Sequence, residues 1–145
     1  MEELVSQMKV VLASTFALYL KSQYFHWNVE GRDFYQYHKL FQKAYETIYD
    51  FVDSDAEHIR ALNSYSPGSL TRFKELSIIE DQLNIPAARE MISILLSDNE
   101  KLINSLELTY RLAEQNNSCG LSNYLQDRID QHQKLSWMLR ATTKD

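Results

Sequence analysis

Cysteine occurs once in this 145-residue sequence, proline twice and glycine three times. The single thiol, Cys119, excludes an intrachain disulfide and fits a reducing cytosol. Turn-forming residues this scarce, set beside plentiful Leu, Ala, Glu, Gln and Lys, predict an all-α protein. Clusters of Lys or Arg are missing at both ends, and the net charge is −5. A basic patch or tail binds DNA by neutralising phosphates, so nucleic acid is not an expected partner. A long uninterrupted apolar run is missing too. The stretch "VVLASTFALYL" has the length of a signal-peptide core, but Glu2 and Glu3 stand where a positive leader belongs and no small-residue cleavage site follows. That run is also too short to span a bilayer. The expectation is one soluble, cytoplasmic, untargeted domain over 1–145, with no membrane partner.

What is present is helical periodicity. Leu4, Met8, Val11, Thr15 and Leu18 recur at three- and four-residue steps, predicting a first helix over about 2–28 with one apolar stripe. The turn "VEGRD" follows, with Gly31 as the stop and Asp33 as the N-cap of a second helix over about 34–62. "NSYSPGSL" ends that helix, and "LTRFKELS" suits a short connecting one. Pro86 is placed to open a third helix over about 87–115; "NNSCG" interrupts, and a fourth runs over about 121–140. Four long helices with a substantial connection between the second and third describe a four-helix bundle with one crossover.

Histidine is scarce, four in all, yet His26 and His38 flank one turn in the aromatic stretch "YFHWNVEGRDFYQYH". Each taken singly reads as a packed ring with a satisfied nitrogen; together they can form half of a site. Asp53 and Glu57 are four apart, so both carboxylates leave one helix face, either as a solvated surface pair or as metal ligands. Two imidazoles and two carboxylates make a mixed nitrogen and oxygen set suited to iron or another first-row divalent metal. Helix geometry restricts how they meet. His38 and Asp53 are fifteen residues apart on one predicted helix, which is about 22 Å at 1.5 Å per residue. One ion cannot bridge that distance, so the histidines of one chain must meet the carboxylates of another, across a two-fold axis between antiparallel second helices. Otherwise the two halves never meet. The sequence contains no Glu-x-x-His, the pair that ordinary di-iron bundles carry on two helices. Asp55-x-x-His58 comes nearest, on one helix and without a counterpart, and His132 reads as structural or solvent-facing.

"FHWNVEG", then His38, then "DSDAEHIRAL" resembles the signature of the Dps-like miniferritins, which reads His-Trp-Asn-Val-x-Gly, a second histidine and then Asp-x-x-x-Glu. His26, His38, Asp53 and Glu57 match at the family spacings, and "LSDNEKLINSL" and "RIDQHQKLSWMLRA" look like family segments too. The resemblance implies a ferritin-like four-helix bundle with a short extra helix in the crossover. It also implies a hollow homo-oligomer, a dodecamer, with ferroxidase sites at the two-fold interface. His26 and His38 of one subunit, with Asp53 and Glu57 of its neighbour, would bind Fe(II); hydrogen peroxide or dioxygen would oxidise it, and Fe(III) mineral would collect inside. Trp27 matches the family tryptophan that sits near the iron and quenches radicals, a catalytic role; the other reading is a large core aromatic.

Some positions depart from the family pattern. Gln42 stands where many members have an aspartate, and an amide is a poorer iron ligand, so a second iron per site is in question. Ser118 and Asn123 stand where acids often line the three-fold pores, leaving Asp127 as the remaining candidate. The lysine-rich tail by which some members bind DNA is missing from "MEELVSQMK". The resemblance therefore implies a ferroxidase that stores iron. A DNA-protecting nucleoid protein, or a shell that binds iron poorly or prefers zinc, is the alternative.

Overall fold

Helices α1 (Glu2–Asn28), α2 (Phe34–Ala61), α3 (Leu70–Leu76), α4 (Ala88–Gln115) and α5 (Cys119–Thr142) follow one another in the computed structural model, which describes residues 1–144. Asp145, the last residue of the expected 1–145 domain, lies outside the described residues. Among the described residues there is no strand. The four long helices are the bundle, and α3 is the short extra helix in the crossover between α2 and α4.

The stripe expected on α1 is real. Leu4, Met8, Val11, Thr15, Leu18, Ser22 and Phe25 are all buried, a three- and four-residue repeat over the whole helix. Each large apolar side chain on it contributes about 1.5–3 kcal/mol by leaving water. That face packs on α2 and α4, with α3 lying across α1. Taken whole, α1 is long and apolar enough to cross a membrane by length and composition, unlike the shorter run noted in the sequence. Its apolar face is nonetheless occupied, because the same side chains form the bundle core. Lys21 on that helix is buried as well, its Nζ 2.6 Å from Asp98 Oδ2 on α4.

Glycine scarcity is met by asparagine. Asn63 and Asn117 follow α2 and α4 with φ of 65° and 55°, in the left-handed region that asparagine tolerates best after glycine. At the end of α4, Asn117 N–H donates to Glu114 O and Ser118 N–H to Ala113 O. Asn63 N–H to Arg60 O and Ser64 N–H to Ile59 O repeat the pattern after α2. Both are Schellman closures that satisfy carbonyls which would otherwise lack a helical partner.

Two expected helix starts shift. Pro86 precedes the N-cap, Ala87, and does not open α4 itself. α5 starts at Cys119, two residues before the expected 121, because the left-handed turn at Asn117 ends within one residue and Ser118 O already accepts from Ser122 N–H. Asp33 holds the N-cap position of α2, but its side chain makes no cap hydrogen bond. Gly31 has φ +116° in the α1–α2 turn, where an L side chain would be strained.

Candidate metal centre

The α1–α2 turn brings His26 and His38 face to face, with ring centroids 3.8 Å apart and planes at 15°. Each ring is tied to the other residue's backbone. His26 Nδ1 donates to His38 O at 2.8 Å, and His38 Nδ1 donates to His26 O at 2.7 Å. A carbonyl oxygen only accepts, so both Nδ1 atoms carry the proton and both Nε2 lone pairs stay available for a metal. The second bond also satisfies a carbonyl in the last turn of α1 that no helical N–H reaches. Phe34 stacks on His38 at 5.0 Å, and Tyr45 lies 5.1 Å from the His26 ring. Orientation by an outer hydrogen bond is how metal-binding imidazoles are usually held.

Asp53 and Glu57 are exposed on α2. Hydrogen bonding to Asp53, then the repulsion of its charge, raises the Glu57 carboxyl above the usual carboxylate range. α2 is unbroken from Phe34 to Ala61, so the two halves stand about 22 Å apart on one helix. Among the described residues of a single chain, no cluster of three or more His, Cys, Asp or Glu side chains could hold a metal.

Trp27 is 61% exposed, which corrects the core-aromatic reading. It borders an apolar groove of about 670 Å3 that Leu20, Tyr24, Leu70, Phe73 and Ile78 also line. Gln42, one turn beyond His38, donates from Nε2 to Glu46 Oε1 at 2.9 Å. Asp127 is exposed and accepts from Gln131 at 2.8 Å.

A second polar centre escaped the sequence reading. Asp55 on α2 and Arg128 on α5 form a fully buried ion pair, with Nη1 2.7 and 2.9 Å from the two carboxylate oxygens. Tyr124 donates to Asp55 at 2.7 Å, and Arg128 Nη2 reaches Thr15 Oγ1 on α1 at 3.1 Å. The other Arg128 Nη2 proton points to His132 Nε2 at 3.0 Å, so His132 carries its proton on Nδ1, 2.7 Å from Asn99 Oδ1 on α4. All four long helices are tied into this network. Asp55 is thereby committed to Arg128, and His58 packs on Tyr124 with rings 4.4 Å apart, so Asp55-x-x-His58 is not a metal pair. The signal was available: Thr15, Asp55, Asn99, Arg128 and His132 all occupy apolar-stripe positions of their helices.

His132 is structural, and its burial, with Arg128 beside it, lowers its basicity well below the usual 6.5. The unfolded chain therefore binds a proton that the folded chain refuses. Stability should be level above 6.5 and fall below it by about 1.4 kcal/mol per pH unit. Denaturant midpoints measured across acidic pH test this. His132→Gln should flatten the slope even if it lowers the plateau, and an unchanged slope would place the effect elsewhere.

A ferritin-like domain family model matches residues 5–145. An uncharacterised low temperature-induced protein of Nostoc is 30% identical, over 90% of this chain and 74% of its own length. A DNA protection during starvation protein of Helicobacter pylori is 27% identical, over 92% and 94%. The crystal structure of Dps from Staphylococcus aureus superposes with a TM-score of 0.95 at 24% identity, covering 100% of this chain and 97% of that one, a likeness of fold.

Proposed function

From a chain that belongs to the ferritin-like family, and within it to the Dps-like miniferritins, we propose a protein that binds and oxidises Fe(II) at sites shared between subunits and stores the Fe(III) product in a hollow shell. The observation that carries this reading is the reciprocal anchoring of the stacked His26 and His38 rings, which leaves both Nε2 lone pairs without a partner among the described residues. Asp53 and Glu57 supply the oxygen half from a neighbouring subunit. The exposed groove beside Trp27, with Leu20, Leu70 and Ile78 uncovered in a single chain, is the apolar ground on which two copies would pair. The same reading includes a homo-oligomeric shell, a dodecamer, as the family resemblance implies.

The donor set suits the task. Carboxylate oxygens are hard ligands that hold both iron oxidation states, the ferric one more tightly. Neutral imidazoles keep the site's charge low, so that Fe(II) binds and gives up an electron, and the remaining coordination positions admit hydrogen peroxide or dioxygen. In this reading Trp27, next in sequence to His26, takes up a stray oxidising equivalent.

Fe(II) added with peroxide in the absence of oxygen should give a soluble ferric product faster than in protein-free buffer. A ferric precipitate forming at the buffer rate would overturn the reading. DNA protection, the role in the Helicobacter pylori relative's name, is the second reading. The charge of −5 weighs against it, and DNA retarded in a gel at low salt would favour it.

A further inference from the structure

Two imidazoles and two carboxylates make one coordination set, sufficient for one iron ion with positions left open. The next side chain along the helix, Gln42, is a neutral amide already engaged with Glu46. One Fe(II) provides one electron, whereas hydrogen peroxide needs two to become water. With one iron per site, the other electron must come from a group nearby.

Phenols stand there in sequence. The Tyr45 ring is 5.1 Å from that of His26, Tyr19 is 6.3 Å from Tyr45, and Tyr49 is 4.7 Å from Tyr19. These are contact distances between rings, so an electron crosses each gap without an intervening carrier. The path runs from His26 on α1 to Tyr45 on α2, across to Tyr19 on α1 and back to α2, ending on Tyr49, which is 54% exposed in the single chain. Packing alone does not require the hydroxyls, since phenylalanine fills the same space.

We propose that Tyr45, Tyr19 and Tyr49 form an electron relay that supplies the second reducing equivalent at the His26/His38 centre, an inference that rests on the iron-oxidising reading above. One Fe(II), one hydrogen peroxide, one phenol O–H and one proton give one Fe(III), one tyrosyl radical and two waters. A second Fe(II) arriving later, with one proton, returns the radical to the phenol and leaves as Fe(III). Summed over both steps, two Fe(II), one peroxide and two protons become two Fe(III) and two waters, with no hydroxyl radical released.

The radical has a preferred resting place. Tyr19 Oη donates to the amide oxygen Gln23 Oε1 at 2.6 Å, which is no base, so a radical on Tyr19 cannot shed its proton locally and passes onward. Tyr49, exposed in the single chain, has no such partner on its hydroxyl among the described residues, so its proton can leave.

The test uses the assembled protein, loaded with Fe(II) at or below one per subunit and mixed with hydrogen peroxide without oxygen. Freeze-quench EPR and mass-spectrometric mapping of oxidised tyrosines follow the radical, and a spin trap follows hydroxyl radical. A tyrosyl signal mapping to Tyr49 is expected, lost in Tyr49→Phe and in Tyr45→Phe, with trapped hydroxyl radical rising in both. Tyr110→Phe, on α4 outside the path, should leave the signal in place. A radical found on Trp27 alone, or a tyrosyl signal indifferent to Tyr45→Phe, Tyr19→Phe and Tyr49→Phe while Fe(II) is still oxidised, overturns the relay and leaves the iron reading standing. A wild-type protein that does not oxidise Fe(II) overturns both.

Discussion

Subunits carrying His26→Ala, mixed and reassembled with subunits carrying Asp53→Ala, should recover Fe(II) oxidation that neither variant has alone. Each variant by itself loses a ligand from every site. Changing a mere outer partner of a metal ligand costs roughly 10–100-fold, so each single variant should fall by at least that factor. In a mixed pair across the two-fold axis, one site receives both lesions and the other receives neither. Random reassembly therefore restores about one quarter of all sites. Stopped-flow oxidation of the mixture against the two separate variants measures this directly. Sites completed within one chain would give no recovery, as would sites using other residues. The experiment thus tests the residue assignment and the sharing between subunits at once.

Asp55→Ala should be among the most damaging single changes to stability. It removes one partner of an ion pair in which both side chains are fully buried, and leaves the Arg128 guanidinium without its counter-charge among α1, α2 and α5. Stranding a buried charge costs about 3–5 kcal/mol, against a total stability of about 5–15 kcal/mol for a typical domain. Tyr124 loses its acceptor in the same change. Denaturant unfolding at fixed subunit concentration reads the loss, since assembly contributes to apparent stability. Replacing both partners together, Asp55→Leu with Arg128→Met, should recover a large part of it, because no charge then remains unpaired. A loss under about 1 kcal/mol for Asp55→Ala, the ordinary size for an exposed pair, would mean that water reaches Arg128 in solution.

The contrast between these two centres explains what could be read from residues alone. The candidate half-sites were legible as residue pairs because their spacing is short-range: a turn between His26 and His38, and one helical turn between Asp53 and Glu57. Helix rise alone then excluded a single-chain site, and unbroken α2 agrees. The bundle was legible through its stripes, and Leu4 to Leu18 are buried as the periodicity requires. The pairing within the Asp55–Arg128–His132–Asn99 network was not, because its hydrogen bonds join residues up to 73 apart and only packing brings them together. The start of α5 moved by two residues because asparagine took the left-handed position that glycine usually marks. The exposure of Trp27 was illegible for another reason: nothing in a single sequence says which large aromatic the fold leaves uncovered.

Continuity of α2 also makes it a ruler. Fifteen steps separate His38 from Asp53, and one residue added between them would swing Asp53 through about 100° and slide it about 1.5 Å. Both members of a symmetric pair would suffer the error, so the mismatch doubles. Only insertions near whole numbers of turns bring the phase back, and they then overshoot in length. The count of residues between imidazole and carboxylate is thus as strict a specification as the identity of either.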